Sequence, residues 1–197
     1  MTEPEARTDE QLMRACAAGD LEAFELLLGR YERRIVSYAY RFLHDSDAAR
    51  DIYQQTFLNI FQRRQQYRET ARFSTYAYRI AHNLCQNELR RAERRRTTSL
   101  ERGPVGGDEA AGAVQWLSDG SDGPLEPLSR QEQDRLLHEA VAELDPMYRE
   151  VIALRIFEGL AFKEIAEIAG VGESTIKSRM RYALAYLERA LRGRVEP

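Results

Sequence analysis

From Leu21 to Phe42 the apolar residues recur every three or four positions: Leu21, Phe24, Leu27/Leu28, Tyr31, Ile35, Tyr38 and Phe42. A segment with this spacing gathers its apolar side chains on one side only as an α-helix, because a strand needs a period of two. The rhythm returns in Ala49, Ile52, Tyr53, Phe57, Ile60 and Phe61, and again in Tyr76, Ile80 and Leu84. It also runs through Leu136, Leu137, Ala140, Val141 and Leu144, and then through Val151, Ile152, Leu154 and Ile156. No stretch alternates apolar with polar, so the expected class is all-α. Hydrophobic residues make up 43% of the 197, enough to form a core. Thr8 with Gln11 has the spacing of a capping box for a short first helix, with Leu12, Ala15 and Cys16 inward. His44-Asp45-Ser46-Asp47 reads as a turn and N-cap before a helix to about Gln66. A further helix is expected from about Ser74 to Arg96.

Between residues 97 and 128 the rhythm stops. Half of the glycines and half of the prolines lie there among Ser, Asp and Glu. The stretch is too long for an ordinary helix–helix connection and reads as a flexible acidic linker. It divides the chain into a helical bundle over 1–96 and a four-helix domain over 129–197. The second domain opens on the capping box Ser129-Arg130-Gln131-Glu132. Asp145-Pro146 supplies an N-cap followed by proline at the first helical position, and Gly159 a stop. Trp116 and the apolar stretch 114–117 interrupt the linker, and fit a partner contact or chance placement equally.

The charge is segregated. There are 29 Lys+Arg against 32 Asp+Glu, a net charge of −3 that by itself argues against a nucleic-acid partner. Residues 30–96, however, hold fifteen basic and seven acidic side chains, net +8, and residues 172–197 six and three, net +3. Residues 1–29 and 97–129 each carry −5. The near-neutral total thus hides two basic patches separated by acid, the kind of asymmetry that keeps a nucleic-acid partner in view. Only Lys163 and Lys177 of the basic residues are lysine; arginine presents a planar fork suited to phosphates and base edges. No apolar run approaches membrane-spanning length, and the acidic start Met1 to Glu10 resembles no targeting leader. Cytoplasmic placement is expected. Cys16 and Cys85 lie far apart without metal spacing and are expected as reduced, partly buried thiols. His44, His82 and His138 are scattered, and no phosphate loop, metal spacing or carboxylate pair points to an enzyme or a cofactor.

Phe162 to Ile176 reads as helix, tight turn, helix. Ala166 is small where two helices would cross, Gly170 suits the turn, and Val171 and Ile176 would close the corner. This is the spacing of a helix-turn-helix, whose second helix enters the DNA major groove. With Ile176 inward, Met180, Ala183, Leu184, Leu187 and Leu191 share its side, while Ser174, Lys177, Ser178, Arg181 and Ala185 face away. In the basic N-terminal body, Tyr67 to Asn83 interleaves aromatics with Arg, Ser, Thr and Asn, a composition that stacks and hydrogen-bonds unpaired bases.

Three motifs now stand in order: Asp51-Ile52-Tyr53-Gln54-Gln55-Thr56-Phe57, the Tyr67–Asn83 stretch followed by Arg90-Arg91, and the terminal helix-turn-helix. Together they resemble the extracytoplasmic-function sigma factors of the bacterial sigma-70 family, over about 20–91 and 129–191. The resemblance implies a subunit that binds core RNA polymerase through the clamp helices of β′, with Asp51, Gln54, Gln55 and Leu58 as the docking residues. It implies promoter DNA as the second partner, single-stranded at the −10 element and duplex at −35. By position Tyr67, Arg68, Thr70, Arg72, Phe73 and Asn83 fall at the melted strand, where a base leaves the stack, with Arg79, Arg90 and Arg91 nearer phosphates. Ser174, Thr175, Lys177, Ser178, Arg179 and Arg181 fall at −35. The linker would pass through the active-centre cleft, and an anti-sigma factor is an expected partner.

The chain departs from the family pattern in places. Gln55 stands where an acidic residue is usual, Tyr53 where an aliphatic one is, and Tyr76-Ala77 where Trp-Leu is common. Ala161 replaces the usual Ser/Thr cap before the helix-turn-helix, a start weaker by roughly 1 kcal/mol. A helix-turn-helix regulator that never recruits polymerase would explain 129–197 equally well, but leaves Asp51–Phe57 and Tyr67–Asn83 without a role. Tyr182 and Leu184 flank Ala183 where basic residues are usual in the family, so phosphate contacts should be few. The isolated C-terminal domain is therefore expected to bind DNA with a shallow salt dependence; a slope equivalent to about six or more phosphate contacts contradicts this reading.

Overall fold

The computed structural model describes residues 7–99, 135–137 and 139–195. These residues are helices and short turns, with no strand among them. The N-terminal body comprises α1 (Asp9–Ala17), α2 (Leu21–Leu43), α3 (Ser46–Gln62), a 3₁₀ turn at Arg64–Gln66, and α4 (Phe73–Ser99). The C-terminal body holds helical residues at 135–137 and 139–142, then α5 (Pro146–Ile152), α6 (Phe162–Ala169) and α7 (Glu173–Val195). The end of α5 widens into a π-helical turn, Ala153–Phe157. The linker stretch with Trp116, the Ser129 capping box and His138 lie outside the described residues.

Local chemistry sets the helix boundaries. Thr8 accepts from the Gln11 amide while the Gln11 side chain accepts from the Thr8 amide, so the capping box forms in full. Asp20 caps α2 by accepting from the Ala23 amide, and Asp45 caps α3 by accepting from Asp47 and Ala48. Between α2 and α3, His44 takes the left-handed conformation at φ 55°. Gly170 does the same at the end of α6 with φ 66°, where a side chain would be strained. At Ala161 only half a box is possible: its amide donates to Glu164 Oε2 at 2.8 Å, but alanine has no acceptor to return the bond. The sequence-based reading of a weaker start at α6 is thus offset in part by Glu164.

The apolar stripes of α2 and α3 close on each other around Leu27, Tyr31, Ile35, Phe42, Ile52, Phe57 and Ile60, all buried. Three expectations need correction. Leu21 begins its stripe but is exposed, because it sits in the first turn beyond the reach of α3. Ile156 is exposed, because the π turn adds a residue and rotates it off the α5 stripe. On α4 the fully buried positions are Phe73, Ala77, Tyr78, Ala81 and Cys85, whereas Tyr76, Ile80 and Leu84 are half-buried beside them. The α4 stripe is wider than one apolar period because α4 is covered twice, by α2 and α3 on one side and by the C-terminal body on another. Both thiols are free and buried, more deeply than expected.

Helix α1 anchors the start of α4. Glu10 accepts from the Phe73 amide at 2.8 Å, capping α4 from 63 residues away, and Arg14 pairs with Glu69 in the preceding loop. Asp9 holds α1 to α2 by accepting from the Tyr31 hydroxyl at 2.6 Å and Arg30 Nη1 at 2.7 Å. Tyr31→Phe should therefore lower stability by about 1.5–3 kcal/mol, the usual worth of a hydrogen bond to a charged group. Glu10→Ala should cost about 1 kcal/mol through the lost cap. Urea midpoints at neutral pH measure both, and no change in either would refute the anchoring role of α1.

Candidate nucleic-acid interfaces

The helix-turn-helix forms from α6, the Gly170 turn and α7. Ile176 and Ala183 are fully buried and Ala166 nearly so, which lets α6 and α7 cross closely. Gly172 accepts from both the Thr175 and Ile176 amides and starts α7. Ser174, Thr175, Lys177, Ser178 and Arg181 are all exposed, on the side of α7 opposite Ile176 and Met180, while Arg179 is half-buried. Lys177 Nζ lies 2.6 Å from Glu173, an exposed ion pair within one turn that gives little stability and can be exchanged for a phosphate. Arg181 Nη2 lies 3.3 Å from the Ser178 hydroxyl and faces no carboxylate there. Leu184, expected inward, is 49% exposed. It lies one residue off the buried line through Met180, Ala183 and Leu187, so the inner face of α7 is narrower than its sequence suggests.

In the N-terminal body the loop between the 3₁₀ turn and α4 carries Tyr67 half-buried, with Arg68, Thr70 and Arg72 exposed. The Tyr67 ring lies 5.5 Å from Tyr76 and 6.4 Å from Phe73, and burial pushes its hydroxyl pKa up to about 12. Its hydroxyl is buried without a hydrogen-bond partner among the described residues. Phe73 is 0% exposed and packs edge-on against Tyr31, so in this conformation it supports the loop from below and cannot touch a base. Arg79, Asn83 and Arg90 are exposed along α4, as is Arg91, which pairs with Glu88 at 3.5 Å. The structure thus brings together Tyr67, Arg68, Thr70 and the α4 residues Arg79 and Asn83, and removes Phe73 from that surface.

Sequence reasoning missed two contributors. Tyr76 is only half-buried, and the charges of Arg63 and Arg79 oppose the upward push of burial on its hydroxyl pKa. A half-exposed aromatic ring with guanidinium groups near it has the character of a stacking platform. The available signal was the Arg63-Arg64 pair just before the loop; it was hidden because Tyr76 fits the apolar period.

On α3, Asp51, Gln54, Gln55 and Leu58 are all exposed, with spacing that places them on one side of the helix. Leu58 is 52% exposed among polar neighbours, opposite the buried Ile52, Thr56 and Ile60. Thr56 donates its hydroxyl to the Ile52 carbonyl, so a polar side chain is accommodated inside. Among the described residues, no helix is long and apolar enough to cross a membrane.

Comparison with known proteins completes this description. Residues 27–95 match the model for Sigma-70 region 2, and residues 134–187 the model for Sigma-70, region 4. The RNA polymerase sigma-H factor of Pseudomonas aeruginosa is 29% identical over 187 residues, covering 93% of each chain. The ECF RNA polymerase sigma-E factor of Escherichia coli K12 is 29% identical over 195 residues, 98% of this chain and 97% of that protein. The fold is shared with CnrH, solved in complex with the cytosolic domain of CnrY, at a TM-score of 0.66 and 20% identity over 95% of this chain and 99% of that one. It is shared also with the sigma factor RpoE of Bartonella quintana, solved with the anti-sigma factor NepR, at 0.63 and 21% over 88% and 96%. Both region models match in the order of the motifs, and the relatives align along nearly the whole chain: it belongs to the extracytoplasmic-function branch of the sigma-70 family of RNA polymerase sigma factors.

Proposed function

We propose that this chain directs RNA polymerase to promoters by docking α3 on the core enzyme, placing the loop and α4 at a melted −10 strand, and laying α7 in the major groove at −35. The observation that carries the reading is the exposed row Asp51, Gln54, Gln55 and Leu58. A regulator that bound only duplex DNA would need α7 and have no use for a half-exposed leucine ringed by amides and a carboxylate. Such a mixed patch suits a protein partner, with the leucine as anchor and the polar groups fixing orientation. The clamp helices of the β′ subunit are that partner in this reading.

At −35, Arg181 and Lys177 supply charge, while Ser174, Thr175 and Ser178 are short enough for a groove floor. At −10, Tyr67 and Tyr76 offer rings for an unstacked base, with Arg68, Thr70 and Asn83 as polar readers. Arg79, Arg90 and Arg91 lie along the phosphates, and Arg72 can reach them once released from its contact with Glu164. Phe73 keeps a supporting place beneath the loop. Unstacking a base costs a few kcal/mol and must be offset by such contacts. The chain supplies promoter specificity and leaves polymerisation to the core enzyme, so its working compartment is the cytoplasm. The complexes of its structural neighbours support an anti-sigma factor as a further partner.

Run-off transcription with purified core polymerase and a cognate-type promoter tests the reading directly; initiation no better than with core alone overturns it. Two sets of substitutions test the division of labour. Lys177→Ala or Arg181→Ala should weaken −35 duplex binding by about 1–3 kcal/mol, roughly five- to a hundred-fold, and leave core association intact. Asp51→Arg combined with Gln54→Ala should abolish core association and spare duplex binding. If either set removes both activities from folded protein, the surfaces have been misassigned.

A further inference from the structure

Five consecutive residues ahead of α4, Arg68 to Arg72, are exposed, and an unstacked base at −10 needs them in a defined shape. Within this loop the Thr70 amide donates to the Arg68 carbonyl at 2.8 Å, a tight turn that fixes only its own few residues. A segment with so little internal bonding keeps one shape only where other elements hold it.

The holding element is α1. It packs against both the 3₁₀ turn and α4, the two elements that the loop joins. Glu10 and Arg14 stand four residues apart and therefore share one side of α1. Glu10 Oε1 accepts from the Phe73 amide at 2.8 Å, where the loop ends, and Arg14 Nη1 pairs with Glu69 Oε2 in its middle. These contacts join residues 63 and 55 positions apart. The same groups act on Tyr67, where the loop begins. Burial, then the carboxylates of Glu10 and Glu69, push its hydroxyl pKa up to about 12, and Arg14 opposes them. One side of α1 thus reaches the start, the middle and the end of the loop.

Glu69 is the informative residue. It is a carboxylate in a loop whose other charged members are Arg68 and Arg72. If attraction of phosphate were the loop's sole task, a negative charge there would work against it. Its charge is instead matched by an arginine brought from α1. The pair is exposed, with side chains 55% and 45% accessible, so it adds little to the stability of the whole fold. Its effect falls on the loop itself. At the loop's end Arg72 approaches Glu164 at 3.6 Å, across the seam between the two helical bodies, a contact that does not involve Glu69.

We propose that α1 is a positioning element for −10 capture: Glu10 and Arg14 hold the loop in the shape that receives an unstacked base, Arg14 acting through Glu69. The proposal rests on the reading of this loop and α4 as the −10 surface. Neither α1 residue touches the base; both are positioning residues. A preformed loop loses less freedom when a base arrives, which leaves more of the contact energy to offset unstacking. A loosened loop is competent for only a fraction of the time, and apparent affinity for the melted strand falls by that fraction. The α3 docking row and the outward side of α7 belong to other helices, so core association and −35 binding are independent of it.

Four variants of the full-length chain, each assembled with purified core polymerase, separate this role from plain charge attraction: Arg14→Ala, Arg14→Glu, Glu69→Arg, and the exchange Arg14→Glu with Glu69→Arg. Permanganate reactivity of unpaired thymines reads opening on a cognate-type duplex promoter and on the same promoter with a mismatched, premelted −10 segment. Each single variant should open the duplex about two- to fivefold less, the range set by loss of an exposed pair. The loss should be smaller on the premelted template, where opening no longer depends on capture. Glu69→Arg should weaken opening even though it adds positive charge to the loop, and the exchange should recover most of the loss. Core association should not change. In the free chain, trypsin should cut after Arg68 or Arg72 severalfold faster in Arg14→Ala, with the helical circular dichroism unchanged. Unchanged opening in all three single variants would overturn the proposal. Tighter binding by Glu69→Arg would do the same, since attraction alone then explains the loop. Equal losses on both templates with weaker core association would also overturn it, because they report general damage to the fold. If the unmodified holoenzyme opens neither template, the sigma reading falls; faster tryptic cutting in Arg14→Ala then still supports the tether, and unchanged cutting overturns it too.

Discussion

Helix α4 is buried from two directions, and most of the molecule's organisation follows from that. Toward α2 and α3 it presents Phe73, Ala77 and Ala81, small or planar side chains that allow close approach. On another side it buries Thr75, Tyr78 and His82; His82 contacts Glu150 of α5, and the Tyr78 ring packs against Tyr38 and Arg34 of α2. Among the described residues, the strip through Arg79, Asn83, Arg90 and Arg91 stays exposed along α4. The loop before it is steadied by α1 through Glu10 and Arg14.

The near-neutral total charge hides how this organisation works. Arginines of the N-terminal body divide between two tasks. Arg34 and Arg41 turn into the seam against Glu158 and Phe157, while Arg68, Arg79, Arg90 and Arg91 face solvent. Arg72 stands between the two groups, exposed yet within 3.6 Å of Glu164. Part of the basic character that favours DNA is thus neutralised internally by carboxylates of the other body.

Much of this was legible in the sequence. The helices follow from apolar spacing, and the caps at Thr8 and Asp45 follow from side chains that accept from a nearby amide. The outward row of α7 follows from Ile176 being inward. Two misreadings share a cause: Leu184 and Ile156 were assigned by period alone. A period describes an ideal helix with one buried side, and it fails at a π turn and at the margin of a narrow contact. Phe73 differs, because it was placed at the melted strand by resemblance and is buried beneath the loop in this conformation. Tyr76 shows the converse, since a residue that fits the stripe can still be half-exposed and feel the charges of Arg63 and Arg79.

The sequence by itself determined the helices, their ends, the division of charge, and the polar faces of α3 and α7, because each depends on residues within a few turns of one another. It could not determine that the two bodies meet, nor that Glu150 would be buried. Tyr38 and Glu150 are 112 positions apart, and His82 and Glu150 are 68 apart. In sequence Tyr38 fits the apolar stripe of its helix, while His82 and Glu150 look like ordinary polar positions on solvated helices. Only the tertiary structure decides that they meet, because a buried carboxylate is tolerable solely where donors from elsewhere converge on it, and local periodicity carries no record of that convergence.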